Sequence, residues 1–283
     1  MMKRVLVTGA TGFIGSHLSA YLRTQGYIAY RGVRSLGPDS DSFDVTCDLG
    51  DLSSISNLAN ENNFDVIVHL ASTVGWNGQS YEEMFLSNVI ATGVLAKVAN
   101  QMGAMLIFAS AALVHGKASA LIDNVSPIIL DTNYARTKYD AELLLKLILP
   151  SACILRIGGV FGENGPSHLG LNRSIIAAIG GKPPILFGAG DSLRNYIYVD
   201  DLCMRIERAI SMKASGTFLV AGGEPVSMRY MCEAISKVFL NTTDVISKPA
   251  ASSVIDQVII GTDIFGISRK FIDVLRSIKM KSS

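Results

Sequence analysis

The chain has little of what marks several large protein classes. Only four cysteines occur in 283 residues: Cys47, Cys153, Cys203 and Cys232. They are scattered, without the spacing of a metal site or a redox dithiol, so they read as buried free thiols in a reducing cytosol. No metal is expected. An excess of charge of one sign is also missing: 25 Lys and Arg stand against 24 Asp and Glu, a net +1. No broad basic surface follows, and nucleic acid is not expected as the main partner. Long apolar runs are absent. The longest, residues 105–114, falls far short of the ~20 needed to span a bilayer. Residues 1–7 imitate the start of a secretory signal, but Thr8, Gly9, Thr11 and Gly12 break the run and no clear cleavage site follows. The expectation is a soluble, cytoplasmic protein with no membrane partner.

What is present is aliphatic content, 49% hydrophobic overall, enough for a substantial core. It is arranged in alternating periods. Arg4-Thr8, Tyr27-Val33, Phe43-Cys47, Asp65-Leu70, Ala104-Ser110 and Ala152-Ile157 read as strands. Phe13-Gln25, Leu52-Asn60, Tyr81-Met102 and Tyr134-Leu149 read as helices between them. Strands alternating with helices imply βαβ units and a parallel sheet covered on both faces. The expected fold is α/β, a Rossmann-type doubly wound parallel sheet with a smaller C-terminal α/β substrate domain. Glycine and proline punctuate the chain after residue 158. Residues 1–158 are therefore expected to bind a dinucleotide, with 195–212 returning to that domain. Residues 159–194 and 213–283 would form the substrate region. Tyr196-Asp201 and Thr217-Val220 read as further strands, the first leading into a helix through Ile210.

The turn Gly9-Ala10-Thr11-Gly12-Phe13-Ile14-Gly15 joins the first strand to the first helix. A tight glycine turn lets backbone N–H groups approach a pyrophosphate, and the helix N-terminus favours its charge. Gly15 would let the helix lie close to the sheet. This points to a nicotinamide dinucleotide. At the end of the second strand a carboxylate would hold the ribose of NAD, whereas arginine accepts the 2′-phosphate of NADP. The sequence there is Tyr30-Arg31-Gly32-Val33-Arg34, with no acid and two arginines, Arg31 and Arg34, close by, so NADP is preferred over NAD and Arg34 is its candidate ligand. Asp48, followed by Leu49, is placed either to reach the adenine amino group or to cap the next helix.

Tyr134 and Lys138 are four apart at the start of a helix, which stacks them on one face. An ammonium beside a phenol favours the phenolate and would bring its pKa of about 10 toward neutrality. Such a tyrosine gives a proton to a carbonyl oxygen or takes one from an alcohol. Lys138 could also hold the nicotinamide ribose.

Together these segments resemble the extended short-chain dehydrogenase/reductase family, the NAD(P)-dependent epimerase/dehydratase type. Thr8 to Gly15 is similar to its N-terminal signature. Val68-His69-Leu70-Ala71-Ser72 resembles the segment lying along the cofactor. Asn88 matches the helix asparagine that supports the lysine through water, and Tyr134-Ala135-Arg136-Thr137-Lys138 with Ala141-Glu142 matches the catalytic helix. Leu155-Arg156-Ile157 resembles the crossing into the substrate domain. Arg194-Asn195-Tyr196 resembles a late motif whose arginine faces a substrate diphosphate. The resemblance implies hydride chemistry on a nucleotide-linked sugar, a place in nucleotide-sugar and polysaccharide metabolism, and a homodimer through the 81–102 and 134–149 helices.

The departures from the family pattern are informative. The family places a hydroxyl after the fifth strand to hold the substrate carbonyl. Here that position is Ala111, and Ser110 can replace it only if the backbone shifts, because adjacent strand residues face opposite sides. His115 stands where the family has tyrosine. It either fills the same pocket wall or gives substrate a hydrogen bond or proton. Gly159 stands where many nucleotide-sugar enzymes have asparagine. Ala112-Leu113 lacks the acid and base of a sugar dehydratase, which disfavours 4,6-dehydration. Trp76 either covers the substrate or packs within its loop, and His168 lies in the substrate-region loop. The leading expectation is an NADPH-dependent ketoreductase acting on a nucleotide-linked sugar. The alternatives are a nucleotide-sugar 4-epimerase, a reductase of a small ketone or aldehyde, and a non-catalytic dinucleotide-binding protein.

Overall fold

The computed structural model describes residues 2–61, 63–75, 78–167, 169–250 and 255–282. It divides into two compact units. One comprises residues up to Lys117, Pro127–Ile157 and Cys203–Phe218; the other comprises Ala118–Ser126, Gly158–Leu202 and residues from Leu219 on.

The first unit is built on strands β1 (Arg4–Thr8), β2 (Ile28–Val33), β3 (Asp44–Thr46), β4 (Val66–His69), β5 (Met105–Ala111), β6 (Cys153–Ile157) and, at one edge, the first three residues of β7 (Gly216–Val220). The sheet order is β7-β6-β5-β4-β1-β2-β3. The pairings β1–β2, β1–β4, β2–β3, β4–β5 and β5–β6 are all parallel. The strand order turns back between β1 and β4, so the doubly wound parallel sheet is the observed fold. Central strands of such sheets are buried on both faces, which is why they read as continuous apolar runs. Val5, Leu6, Val7, Ile67 and Val68 are all wholly buried.

Helices α1 (Phe13–Thr24), α2 (Leu52–Glu61), α3 (Tyr81–Phe85), α4 (Ala91–Met102) and α5 (Asn133–Ile148) belong to this unit. Ile55, Leu58, Leu95, Ala96, Ala99 and Leu145 form one apolar cluster with Leu6, Ile67, Leu106 and Phe108 of the strands. The segment 81–102 is helical throughout, but Leu86–Ile90 forms a π-turn between α3 and α4. Such wide turns commonly mark functional sites, and here the turn carries Asn88.

The second unit is made of short strand pairs: Val160–Phe161 with Ile197–Tyr198, Leu193–Arg194 with Val226–Ser227, Ile185–Phe187 with Ile246–Lys248, and Leu121–Ile122 with Val258–Ile259. Helix Met228–Leu240 packs against both Gly170–Ile179 and Phe271–Ser282. The strand read over Tyr196-Asp201 is only Ile197–Tyr198. A helix begins at Val199, with Asp200 and Asp201 in its first turn, where the positive end of the helix dipole favours them.

Candidate active site

The glycine turn closes on backbone. Gly9 has φ +68°, and a Cβ there would lie 2.8 Å from the Ala71 nitrogen. At Gly15 a Cβ would lie 2.1 Å from the Gly9 oxygen and 2.7 Å from Ala10 Cα. Helix α1 therefore rests on the exit of β1 with no room for a side chain. The Gly12 N–H donates to the Gly9 carbonyl at 3.0 Å. Gly12 provides no side-chain cap, and no acid occupies the first turn of α1. The first N–H groups of the helix are left as donors for an anion. Phe13, Ile14 and Gly15, with Thr11 and Gly12 in the turn before them, could thus hold the pyrophosphate of a dinucleotide. Leu70, Ala71 and Ser72 run half-buried alongside: Leu70 and Ala71 supply the atoms that crowd Gly9.

A buried chain of hydrogen bonds ties this turn to α4. The Thr8 hydroxyl lies 2.7 Å from His69 Nδ1, and His69 Nε2 lies 2.9 Å from Thr92 Oγ1. The Thr92 hydroxyl itself donates to the Asn88 carbonyl at 2.6 Å, so it must accept from His69. His69 is thereby fixed with its proton on Nε2 and its lone pair facing the Thr8 hydroxyl. Burial, with the Lys138 charge nearby, pushes the imidazole down to about 3, so the ring is neutral. The Asn88 amide is fully engaged. It accepts from Thr73 N–H at 2.7 Å and donates to the Thr73 carbonyl at 2.7 Å and to Thr137 Oγ1 at 3.1 Å. These contacts reach the residue before Lys138.

Thr132 caps α5, its hydroxyl accepting from the Ala135 N–H at 3.0 Å, and so fixes where Tyr134 enters. Tyr134 lines a cavity of about 300 Å³ with Val74, Met84, Leu113 and Lys117 among its neighbours. The Ser72 hydroxyl is its hydrogen-bond partner. One turn on, Lys138 is buried with its ammonium 4.2 Å from the centre of the Phe108 ring. Burial lowers Lys138 to about 7, opposed by the Glu142 carboxylate. The expectation that Lys138 draws the phenol toward neutrality is corrected in this structure. Burial dominates and raises Tyr134, against the lesser, lowering contact with Ser72. Without a second positive charge at the site, the desolvated phenol keeps its proton.

Two further expectations are corrected: Ser110 as the replacement hydroxyl and His115 as a donor to substrate. Strand β5 continues regularly to Ala111, whose φ and ψ are −127° and 138°. No shift brings Ser110 to the position of Ala111. The Ser110 hydroxyl instead donates to Glu142 Oε1, on the face of β5 opposite to that of Ala111. Arg156 donates to the same carboxylate from Nη2 at 2.7 Å and Nε at 3.0 Å. His115 is wholly enclosed: its Nδ1 lies 2.9 Å from the Pro127 carbonyl and its Nε2 lies 3.1 Å from Arg156 Nη1. Both ring nitrogens are taken, so His115 has no donor to offer a substrate. Ala111 itself is half-buried.

At the adenosine side, Arg31 is withdrawn from the cofactor reading. Its guanidinium pairs with Asp44 at 2.6 and 2.7 Å. Arg34 is exposed just after β2 and makes no ion pair among the described residues. Asp48 Oδ1 accepts from the Gly50 N–H at 3.0 Å, closing a local turn, and Asp51, not Asp48, accepts from the start of α2. Half-buried Leu49 packs on the core cluster.

In the second unit Arg194 lines a cavity of about 110 Å³ with Tyr196, Glu224, Tyr230 and Lys270. Its guanidinium donates to the carbonyls of Leu193 and Ile255 and to the Tyr196 phenol. Gly159 is explained by packing: a Cβ there would lie 2.4 Å from the Tyr196 ring, which takes the space of an asparagine side chain. Trp76 and His168 lie outside the described residues. No group of three His, Cys, Asp or Glu suited to a metal occurs among the described residues. Among them, too, no helix is long and apolar enough to cross a membrane.

The fold and turn define a dinucleotide-dependent oxidoreductase scaffold, and comparison with known proteins makes this definite. The family model for the NAD dependent epimerase/dehydratase family matches residues 5–221. The chain belongs to that family and is an NAD(P)-dependent enzyme of the extended short-chain dehydrogenase/reductase type. It is 28% identical over 242 residues to a dTDP-glucose 4,6-dehydratase of Mycolicibacterium smegmatis, spanning 78% of this chain and 72% of that enzyme. A dTDP-4-dehydrorhamnose reductase of Bacillus anthracis in complex with NADP is similar in fold, with TM-score 0.81, 20% identity and 99% of both chains covered. A UDP-glucuronic acid 4-epimerase of Bacillus cereus in complex with NAD is similar with TM-score 0.80 and 22% identity, covering 99% and 98% of the two chains.

Proposed function

We propose that this protein reduces a ketone on a nucleotide-linked sugar, with NADPH as the preferred cofactor. The observation that carries this reading is Tyr134 on the wall of a cavity, with Lys138 one helical turn beneath it. When bound at the glycine turn, the dinucleotide supplies hydride to the carbonyl carbon. Tyr134 holds its proton at neutral pH because burial raises its phenol, and it gives that proton to the carbonyl oxygen. The Lys138 ammonium then stabilises the phenolate, and the Ser72 hydroxyl turns its hydrogen bond to it. Leu113 in the cavity wall offers no acid or base for dehydration. Ala111 leaves the carbonyl short of one donor, which costs on the order of 3 kcal/mol of transition-state stabilisation and slows the enzyme without silencing it. Arg194, with Lys270 in the same cavity, supplies cations for a diphosphate. Arg34 receives the 2′-phosphate.

The pairing of Arg31 with Asp44 favours a second reading, a nucleotide-sugar 4-epimerase that retains NAD, since it halves the positive charge near the ribose. Copurifying NAD would favour the epimerase, and freely exchanging NADPH the reductase. A homodimer is part of the proposal. Leu86, Ile90, Leu143 and Leu147 are exposed apolar residues on the π-turn and α5 of one unit.

The decisive experiment follows NADPH oxidation with UDP- and dTDP-linked 4-ketosugars. Tyr134→Phe should lower turnover by about 10²–10⁴-fold, the worth of a general acid, while the dinucleotide Kd stays within about threefold. Full turnover in that variant would overturn the assignment. Failure to bind free UDP or dTDP would move the substrate to a small ketone.

A further inference from the structure

A buried charge cluster lies beside the hydride site, on the side of Lys138 away from Tyr134 along α5. Glu142 follows Lys138 by four residues, on the same face of the helix, and is wholly buried. Its carboxylate takes the Ser110 hydroxyl and two guanidinium contacts from Arg156. Arg156 is held in turn by His115, and His115 by the Pro127 carbonyl. Ser110 and Arg156 are register partners across β5 and β6, so the sheet brings both to the carboxylate. The groups facing Lys138 can be named element by element. Tyr134 and Glu142 lie on α5, neutral His69 on β4, Phe108 on β5, and Arg156 stands behind Glu142 on β6. Arg156 is paired with the carboxylate, and Lys138, one helical turn away, lies within its electrostatic reach. The cluster is one positive charge in excess, in a place where charge is costly to bury.

We propose that Glu142 is a positioning residue that keeps the Lys138 ammonium charged from one helical turn away, with Arg156 and Ser110 bound to its carboxylate. Ser110, one residue from the position where the family has a substrate-facing hydroxyl, serves the lysine instead of the substrate. This balance sets how firmly Lys138 holds its proton. Burial lowers Lys138 to about 7 and the Glu142 charge opposes it, while Arg156, paired with that carboxylate, offsets part of its charge. Removing the anion would release the lysine's proton at lower pH. Removing the Arg156 cation would leave the whole carboxylate charge to act on Lys138 and hold its proton to higher pH. Damage to the fold would not move the lysine in opposite directions.

The inference rests on Tyr134 and Lys138 being the hydride-site pair, yet its test needs neither substrate nor cofactor. The full chain is labelled with [ε-13C]lysine, and the Lys138 resonance, assigned by its loss in Lys138→Met, is followed against pH. The wild-type midpoint should lie near 7. Glu142→Gln should lower it by at least about one pH unit, and Arg156→Met should raise it by at least about half a unit. Glu142→Gln/Arg156→Met, which keeps the net charge and replaces a buried pair by neutral groups, should fall between the single variants. Equal midpoints in all four proteins, or a downward shift in Arg156→Met, would overturn the proposal. If Glu142→Gln does not fold, the sign of the Arg156→Met shift decides alone. Inactivity toward every ketosugar would refute the reductase reading and leave this result standing.

Discussion

Replacing Gly15 by alanine tests the dinucleotide turn most directly. The added Cβ would lie 2.1 Å from the Gly9 carbonyl oxygen and 2.7 Å from Ala10 Cα. Both are backbone atoms, so no side chain can swing away. Relief needs the start of α1 to move from β1 by more than about 1 Å, against the ~3.4 Å of an ordinary contact. Overpacking of this kind costs about 1–3 kcal/mol. At roughly 2–4 °C per kcal/mol for domains this size, the Tm should fall by about 2–12 °C. The same movement misaims the helix N–H groups. Losing two hydrogen bonds to a charged pyrophosphate, at about 1.5 kcal/mol each, weakens dinucleotide binding by roughly 100-fold. Calorimetry of the apoprotein and NADPH fluorescence titration measure the two effects. Gly12→Ala is the control for stability. A Cβ there meets only the Gly9 oxygen at 3.2 Å, and the residue has φ −80°, so its cost should stay below about 1 kcal/mol. Should Gly15→Ala keep its Tm within a degree of wild type and its affinity within threefold, the close approach of α1 would not be what forms the site.

Arg34→Ala should raise the KM for NADPH at least about tenfold, a loss of about 1.4 kcal/mol, and leave NADH unchanged; equal effects on both would remove Arg34 from the 2′-phosphate. His69 should make the fold acid-sensitive. It is neutral when folded down to about pH 3, against an ordinary value of 6.5, so the unfolded chain binds the extra proton between those limits. Its contribution is present above pH 6.5 and is lost at up to about 1.4 kcal/mol per pH unit as the pH falls toward 3. Urea unfolding at pH 7, 6 and 5 should show that slope in wild type and not in His69→Gln, and an identical slope in both would refute it. Leu147, 81% exposed on α5, should be buried in the dimer. Leu147→Glu should yield a monomer by light scattering, and an unchanged mass would place the interface elsewhere.

The sequence announces the first unit far better than the second, for a local reason. β1, β4 and β6 are runs of buried aliphatic residues between long helices, and period and length are local properties. The pairing of Leu121–Ile122 with Val258–Ile259 joins segments over a hundred residues apart, so nothing local could assign 118–126 to the second unit. Gly9 and Gly15 were legible as a tight turn, and Tyr134 and Lys138 as one helix face, because spacing along the chain is local. Glu142 had a visible clue in its four-residue step from Lys138. Arg156 had none, since its contact with Ser110 and Glu142 depends on the β5–β6 register. Arg31 misled because its partner, Asp44, lies on β3, across a parallel pair that only the folded sheet creates.

The alternation of β5 explains why one missing hydroxyl was not replaced by its neighbour. Ser110 and Ala111 are adjacent on a regular strand, so they face opposite sides. Ser110 faces Glu142 and Arg156, where a buried carboxylate accepts its hydrogen bond. Turning it toward a substrate would break that bond and leave Glu142 with one donor fewer in a site without water access. An unmet buried acceptor costs about 1–3 kcal/mol, comparable to what an extra carbonyl donor would return at the transition state. The exchange therefore brings no net gain. In the proposed reduction, the phenol of Tyr134, the ammonium of Lys138 and the hydroxyl of Ser72 would act alone at the carbonyl. The electrostatics fit that demand, because His69 is locked neutral between Thr8 and Thr92. Protonating it would set a second charge beside Lys138, and both neighbours already hold it in the neutral tautomer.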